Sequence, residues 1–388
     1  MKKYLIVTPM FPMPNSFRGP FLTDQAHAIQ KSGRYDVVVF KSAPLNQKAD
    51  PYTYDGIPVI QFHDLIPFSG ALSNVLWPLG AVNFTVELEK AGIRLEDIAV
   101  CHTHGVSLIP LLRHLKRRQP KIITAMQFHY AEKEPLKGRL GKCSALWKYL
   151  LKNSAEQNAQ VDVRIAVSKH TFRTVDSWYR NQHVEKKGRE YVLYNGVDVN
   201  KFYPVPGLRD ANTFHIGCVG NFIPRKEQMT LLRAAEKLLQ NGMDDLKVSF
   251  IGSGPTLQEC MRYSDGSKYL RGHVHFLSEV THGNLNSYYN SINLFVLPSY
   301  GEAFGCVYLE ASACGVPFIG TLGEGIEEFI PEADKEKWLI QPRSWEGLAD
   351  KIVDFRKNSW KQKLNYPIDI QWHVGRYLDY LEENFEMS

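Results

Sequence analysis

Residues 293–321 are NLFVLPSYGEAFGCVYLEASACGVPFIGT, a stretch that predicts a strand, a loop, a helix and a further strand. The apolar run 293–298 is typical of a buried strand. The loop that follows carries Glu302, and the helix predicted over 306–313 carries Glu310. Free N–H groups at the start of that helix can bind a phosphate, whereas carboxylates accept hydrogen bonds from neutral hydroxyl groups. The pattern fits either a nucleotide-sugar site or a polar loop followed by a helix with one solvent-facing glutamate.

Strands and helices alternate along the rest of the chain. Apolar runs at 4–9 and 36–40 flank a segment of helical spacing at 21–32, which is βαβ organisation and implies a parallel sheet. A second βα series starts at 215, after the proline-rich polar segment 201–212 that we interpret as an interdomain linker. The GxGxxG fingerprint is absent after the first strand, which disfavours a dehydrogenase. The sequence therefore predicts an α/β protein with two doubly wound domains.

The composition is that of a globular protein, with 388 residues and 44% hydrophobic residues, enough to bury two cores. The six cysteines form no CxxC pair, which favours reduced thiols in a cytosolic compartment over a disulfide framework or a zinc site. No apolar run reaches roughly 18 residues, so we expect neither a signal peptide nor an integral membrane protein. The apolar segment 66–84 contains Pro and Gly and favours core with turns, or else an exposed groove for a lipid or an acceptor.

Charge is unevenly distributed. Residues 1–200 hold 27 Lys and Arg against 17 Asp and Glu, whereas the rest holds 19 against 24. A basic half suggests an anionic partner, such as nucleic acid, an anionic membrane surface or a phosphate-bearing acceptor. Within that half, residues 133–160 interleave Lys and Arg with Leu and Trp. This pattern predicts either a helix lying on an anionic membrane or an ordinary surface helix.

Further candidate residues stand in loops at the ligand-binding ends of the predicted sheets. Arg225 and Lys226 are adjacent cations that would suit a diphosphate, since they neutralise charge developing on a leaving group. A strand predicted at 121–124 is followed by a loop with His129, well placed for a phosphate or sugar contact. A metal site at the histidines lacks a matching carboxylate pattern. Gly19, after the first strand, either lets the backbone approach a phosphate or serves a turn.

Taken together, the chain resembles a glycosyltransferase of family 4, of hexosyltransferase type. The resemblance implies the GT-B fold, in which two Rossmann-like domains face each other across a cleft. It implies an acceptor-side domain over 1–200, a nucleotide-sugar-binding domain over 201–365, and a helix within 366–388 that packs back on the first domain. The matching motifs follow one another along nearly the whole chain: RGPFLTDQAHAIQKSG, HTHG, ITAMQFH, AVSKHT, VLYNGVDVNKFYP, GCVGNFIPRKEQMTLLRAA, FIGSGP and PSYGEAFGCVYLEASACGVPFIGT.

The resemblance also implies a role for each matching residue. The spacing of Glu302 and Glu310, E-x7-E, is typical of retaining GT-B enzymes. By resemblance, Lys226 binds phosphate, Glu310 holds the ribose hydroxyls, and Glu302 contacts the donor sugar. In the first domain, the resemblance implies that His129 faces that sugar and that Gly19 belongs to the glycine loop. It also implies that the backbone of the loop formed by Phe304, Gly305 and Cys306 approaches sugar and phosphate.

The sequence departs from the family pattern at two places. Asn221 follows Gly220 where the family commonly has Arg, and Arg225 would have to supply that charge. The glycine loop carries Gly19 alone where many members have a pair.

The resemblance implies transfer of a sugar from a nucleotide sugar, with UDP as the expected nucleotide and GDP the alternative. The anomeric configuration would be retained, and the acceptor would be a hydroxyl of a glycan or lipid-linked molecule, as in bacterial surface polysaccharide or glycoconjugate biosynthesis. We expect no cofactor, no metal, no nucleic-acid partner, and a cytoplasmic protein that contacts the membrane peripherally through 133–160. The alternatives are a nucleotide-sugar epimerase of GT-B fold and a non-catalytic nucleotide-sugar-binding subunit.

Overall fold

A computed structural model describes residues 1–13, 19–63, 73–105, 108–129, 145–277 and 284–386. The described chain forms two compact units. The first comprises Met1–Asn195 with Ile370–Ser388, and the second comprises Gly196–Asp369. Each unit is built on its own, almost entirely parallel sheet. The predicted α/β fold with two doubly wound sheets is confirmed.

The first unit holds an eight-stranded sheet in the order β3-β4-β2-β1-β5-β6-β7-β8, in which only β3 runs antiparallel to its neighbour. Its strands are β1 (Lys3–Thr8), β2 (Asp36–Ala43), β3 (Tyr52–Tyr54), β4 (Ile57–His63), β5 (Ile98–Thr103), β6 (Ile123–Phe128), β7 (Val163–Ala166) and β8 (Arg189–Val192), and its helices are α1 (Pro20–Lys31), α2 (Ser73–Lys90), α3 (Ile109–Arg118), α4 (Ala145–Asn158), α5 (Lys169–Asn181) and α12 (Ile370–Asn384).

The core of the first unit lies on both faces of the sheet, because alternate residues of a strand point to opposite faces. Along β1, Leu5 and Val7 belong to one buried cluster, while Tyr4 and Ile6 belong to another. The run YLIV is therefore apolar throughout, as expected for a parallel strand covered by helices on both sides.

Helix α12 returns to the first unit although it follows the whole second unit in sequence. Its Tyr377 and Leu381 are fully buried in the same cluster as Tyr4 and Ile6 of β1. Arg34 donates to Asp379 at 2.7 Å at the edge of this contact. The C-terminal helix is thus part of the first unit's hydrophobic core.

The second unit holds a six-stranded parallel sheet in the order β11-β10-β9-β12-β13-β14. The chain enters this sheet at β9, moves outward to β10 and β11, and then returns to the other side of β9 to form β12, β13 and β14. Its strands are β9 (Phe214–Val219), β10 (Leu246–Ile251), β11 (Val274–Leu277), β12 (Leu294–Val296), β13 (Phe318–Thr321) and β14 (Leu339–Ile340), and its helices are α6 (Gln228–Gln240), α7 (Leu257–Gly266), α8 (Leu285–Ser291), α9 (Cys306–Ala313), α10 (Lys335–Trp338) and α11 (Trp345–Asn358).

Three expectations from the sequence need correction. In the apolar segment 66–84, Ala81 and Phe84 are buried as predicted for core, but residues 73–84 form part of α2 where turns were predicted, and residues 66–72 lie outside the described residues. The strand predicted at 121–124 is β6, which runs on to Phe128 because it pairs with β5 and β7 on either side. The segment 201–212 is not a free linker, since Phe202 is 1% exposed in the second unit and Tyr203 donates its N–H to Asn286 at 3.0 Å.

Membrane-related expectations fall partly outside the described residues. Most of the basic residues of 133–160 lie before α4, in the undescribed segment 130–144. Within the parts of the chain that are described, no helix combines the length and the apolar character that crossing a bilayer requires.

Candidate functional site

The candidate site lies at the carboxyl ends of β9 and β12, which are neighbours in the second sheet. The chain leaves these two strands in different directions, since β9 leads towards β10 on one side and β12 leads towards β13 on the other. Ligands of doubly wound sheets bind outside the strand ends at such a switch point. The loops 220–227 and 297–305 meet there and carry most of the predicted residues.

The two loops are joined by an ion pair and by backbone contacts. The Lys226 ammonium forms a salt bridge with the Glu302 carboxylate, and the two side chains are only 12% and 13% exposed. Arg225 donates from its guanidinium to the carbonyl oxygen of Gly301 at 3.2 Å. The N–H of Tyr300 in turn donates to the carbonyl of Arg225 at 2.8 Å. The sequence-predicted cations and the first carboxylate are therefore brought together.

Helix α9 begins directly after this loop. Gly305 caps the helix with φ +84°, and a Cβ at this position would lie 2.7 Å from the ring of Tyr308. Only glycine fits here, so the backbone can turn sharply into the helix. Cys306 is the first helical residue and is partly buried. Phe304 is 1% exposed, and its ring packs against Phe329.

Glu310 lies one helix turn further and is 7% exposed. The buried phenol of Tyr289, on α8, donates to Glu310 Oε2 at 2.7 Å. Burial raises the pKa of Tyr289 well above its usual value, and the charge of Glu310 raises it further. Tyr289 therefore stays protonated and serves as a hydrogen-bond donor to this carboxylate.

Asn221, the departure from the family pattern, is exposed at the start of the loop after β9. Its backbone carbonyl accepts from the side-chain amide of Gln228 at 3.0 Å. The cationic groups of this loop are thus Arg225 and Lys226, which stand four and five residues later.

The remaining predicted residues, Gly19 and His129, both lie in the first unit. Gly19 caps α1 with φ +85°. Phe21, two residues further, packs against the His129 ring with centroids 4.9 Å apart. His129 also contacts His104, whose Nδ1 lies 2.7 Å from His129 Nε2. Burial lowers the pKa of His129 to about 3, so its ring is neutral at physiological pH.

A third histidine extends this group. His102 stacks on His104 with centroids 4.3 Å apart, and its Nδ1 lies 2.7 Å from the hydroxyl of Tyr4. Burial lowers the pKa of His102 to about 3 and that of His104 well below its usual value. Three neutral imidazoles therefore share a largely buried polar cluster at the carboxyl ends of β5 and β6.

Two side chains at the second-unit site were not singled out from the sequence. One is Tyr289, and the other is Glu324, whose carboxylate accepts from the N–H groups of Gly301 and Glu302. Glu324 stands in the glycine-rich segment GEGIEEFI, residues 323–330, and a carboxylate between two glycines is the signal that the sequence offers there.

Over residues 1–13, 19–63, 73–105, 108–129, 145–277 and 284–386, no group of three or more His, Cys, Asp and Glu side chains is arranged to hold a metal ion.

Comparison with known proteins assigns the second unit to a family. Residues 201–367 match the family Glycosyl transferases group 1. This segment belongs to the group 1 glycosyltransferases. The match covers the switch-point loops and α9, so the resemblance predicted from the sequence motifs is confirmed for the glycosyltransferase domain.

Curated relatives cover part of the chain. A GDP-mannose-dependent alpha-(1-6)-phosphatidylinositol monomannoside mannosyltransferase from Mycolicibacterium smegmatis is 29% identical over 150 residues, which are 35% of this chain and 39% of that protein. The match thus spans about two fifths of that relative's length.

Solved structures share the fold over nearly the whole chain. Sucrose-phosphate synthase from Thermosynechococcus elongatus matches with a TM-score of 0.71 and 20% identity over 98% of this chain and 100% of that chain. Anabaena HepE in complex with UDP and glucose matches with a TM-score of 0.68 and 17% identity over 98% and 99%. At such low identity the likeness concerns the fold alone. The predicted GT-B fold class is confirmed.

Proposed function

We propose that the whole chain is a retaining glycosyltransferase that moves a sugar from a nucleotide sugar to a hydroxyl of a glycan or lipid-linked acceptor. The observation that carries this proposal is the contact of Lys226 with Glu302 at the switch point, beside the start of α9 and close in sequence to Glu310. The cations at this site suit a diphosphate, and the carboxylates suit the hydroxyl groups of the sugars that the diphosphate links.

Each part of the donor would meet a suitable group. The diphosphate would lie against Lys226, Arg225 and the start of α9, where the helix dipole stabilises negative charge. Glu310 would accept from ribose hydroxyls, and Glu302 from hydroxyls of the sugar. From the family resemblance, we further propose that Gly19 and His129 take part in donor binding.

In the transfer, the bond from the anomeric carbon to the diphosphate breaks, and its electron pair stays on the leaving phosphate oxygen. The acceptor hydroxyl forms the new bond to that carbon, and its proton is passed to the leaving diphosphate. Lys226 and Arg225 would stabilise the charge that develops on the leaving group. We propose that no metal is required, because these groups already supply positive potential.

The nucleotide is proposed to be UDP, with GDP as the alternative. The Mycolicibacterium relative is described as GDP-mannose-dependent, whereas the HepE structure holds UDP, so both belong in the test. The direct experiment incubates the protein with UDP-, GDP- and ADP-sugars and a lipid-extract acceptor, and follows sugar transfer and release of nucleoside diphosphate. Binding of a nucleotide sugar without transfer across the panel would identify a binding subunit instead. Conversion of the free donor to its epimer would identify an epimerase.

We also propose peripheral contact with an anionic membrane through residues 133–160. Within the described part, Lys152 and Tyr149 of α4 are 56% and 60% exposed, so a cation and an aromatic ring face outwards. Flotation with phosphatidylserine liposomes tests this contact. Lys152→Glu should reduce binding, whereas Lys48→Glu, an exposed charge reversal in the same unit, should leave it unchanged. Equal binding by both variants would contradict the proposal.

A further inference from the structure

Three loops rather than two meet at the candidate donor site. The third follows β13, which pairs with β12, and it contains Glu324. Glu324 is 7% exposed. Its Oε1 accepts from the N–H of Gly301 at 2.8 Å, and its Oε2 accepts from the N–H of Glu302. One buried carboxylate therefore binds two consecutive peptide N–H groups.

The contact is reciprocal. The N–H of Gly325 donates to the carbonyl oxygen of Glu302 at 3.3 Å. Gly325 also lies against the loop so closely that a Cβ there would be 2.0 Å from the carbonyl oxygen of Ala303. Both peptide groups of Glu302 are thus bonded to residues 324 and 325, and no larger residue fits at position 325.

We infer that Glu324 is a positioning residue for the donor site, because its carboxylate fixes the backbone at Glu302 and thereby sets where the Glu302 side chain meets Lys226. The inference rests on the proposed function in so far as Lys226 and Glu302 act on a nucleotide sugar. The hydrogen bonds of Glu324 are charge-assisted, and such bonds are about twice as strong as neutral ones. They hold the loop in one conformation before any donor binds.

A second consequence concerns the donor. The N–H groups of Gly301 and Glu302 are already occupied by an internal anion. A bound diphosphate therefore has to use the start of α9 and the cations of the neighbouring loop. Glu324 would direct the phosphates to that side of the loop, because its own negative charge repels them.

Glu324→Gln tests the inference. Glutamine has the same shape but offers one acceptor oxygen and one N–H₂ group, so one of the two peptide N–H groups would face another donor. Amide hydrogen exchange at Gly301 and Glu302, followed by NMR, should accelerate by about tenfold or more. The kcat for sugar transfer should fall by about a hundredfold, as expected for a misplaced catalytic group. The Kd values for UDP and GDP should change less than about threefold, which is below 1 kcal/mol.

Two further variants complete the experiment. Glu324→Asp keeps both oxygens and the charge but is one methylene shorter, so it should regain part of the lost kcat, and it serves if the glutamine variant fails to fold. The control variant is Glu332→Gln, the same change in an exposed side chain eight positions later in the sequence. It should behave as wild type. Unchanged amide exchange in Glu324→Gln, transfer equal to that of Glu332→Gln, or a loss of nucleotide affinity as large as the loss of kcat would each overturn the inference. Amide exchange needs no turnover, so a wild-type protein without transferase activity would refute the proposed function while still testing Glu324.

Discussion

Lys226 and Glu302 form an ion pair across 76 positions of the sequence. They meet because β9 and β12 are adjacent in the sheet, although β10 and β11 lie between them in the chain. Both side chains are largely buried, and removal of one partner from a buried pair leaves an uncompensated charge that costs about 3–5 kcal/mol. An anionic ligand would give Lys226 a second negatively charged partner. The ion pair is therefore linked to anion binding.

Tyr289→Phe should weaken nucleotide binding without direct contact to the nucleotide. The change removes the O–H group that donates to Glu310 at 2.7 Å, while the ring continues to fill its place in the core. We expect a loss of about 1.5–3 kcal/mol in unfolding free energy, typical of a hydrogen bond to a charged group. The affinity for UDP or GDP, measured by isothermal titration, should fall by about tenfold because the carboxylate loses its orientation.

The matched control is the neighbouring tyrosine of the same helix. Tyr288 donates to the carbonyl oxygen of Ser249 at 3.1 Å and has no contact with Glu310 among those that the described residues show. Tyr288→Phe should lower stability but leave nucleotide affinity intact. Equal losses of affinity in both variants would show that Tyr289 acts only through stability.

Stability should fall in acid because of the buried histidine cluster. Burial holds the folded-state pKa values of His102 and His129 at about 3, whereas an unfolded histidine titrates near about 6.5. Between these values the unfolded chain binds protons that the native fold excludes, so unfolding free energy is lost as pH drops below about 6.5 towards about 3. Each such histidine contributes a slope of up to about 1.4 kcal/mol per pH unit. Urea titrations at pH 7, 6 and 5 measure this slope.

Substitution of a cluster member isolates the cause. His129→Gln cannot be protonated and should reduce the slope by about one proton. His183→Asn, at an exposed left-handed position that asparagine tolerates, should leave the slope unchanged. A wild-type slope in the His129 variant would mean that acid destabilisation comes from other groups.

Sugar transfer should continue in the presence of EDTA. The proposed site provides Lys226, Arg225 and the start of α9 for the leaving diphosphate, so a bridging cation is not needed there. Initial rates with EDTA and with added Mg²⁺ or Mn²⁺ should agree within about twofold, which is below 1 kcal/mol of barrier. Activity that EDTA abolishes and Mg²⁺ or Mn²⁺ restores would contradict this part of the proposal.

Local patterns predicted the elements around the site well. The helix predicted at 306–313 is α9 with the same bounds, because Gly305 and Gly315 mark its two ends. The strand predicted before it is two residues longer than β12 at the C-terminal end, since pairing with its neighbours covers fewer residues than the apolar run. Spacing and turn residues are local information, and they decide such features.

Contacts between elements could not be predicted in the same way. The bonds from Tyr289 to Glu310 and from Glu324 to the Glu302 loop depend on which strands lie side by side. Likewise, the contact of His104 with His129 needs the ends of β5 and β6 to lie side by side. The segment 201–212 resembled a linker in composition, but the position of Asn286 fixes it to the second unit. The family-implied roles of Glu302, Glu310 and Lys226 stay predictions.

The central claim is the division of labour between Glu302 and Glu310. The most direct measurement combines titration of UDP and GDP with transfer rates for Glu310→Ala and Glu302→Ala. We predict that Glu310→Ala lowers the affinity for the bare nucleoside diphosphate by about tenfold or more. The affinity of Glu302→Ala for the nucleoside diphosphate should stay within about threefold of the wild-type affinity. Its transfer rate should be about a hundredfold lower. The reverse pattern, with nucleotide affinity lost in Glu302→Ala and retained in Glu310→Ala, would contradict the account.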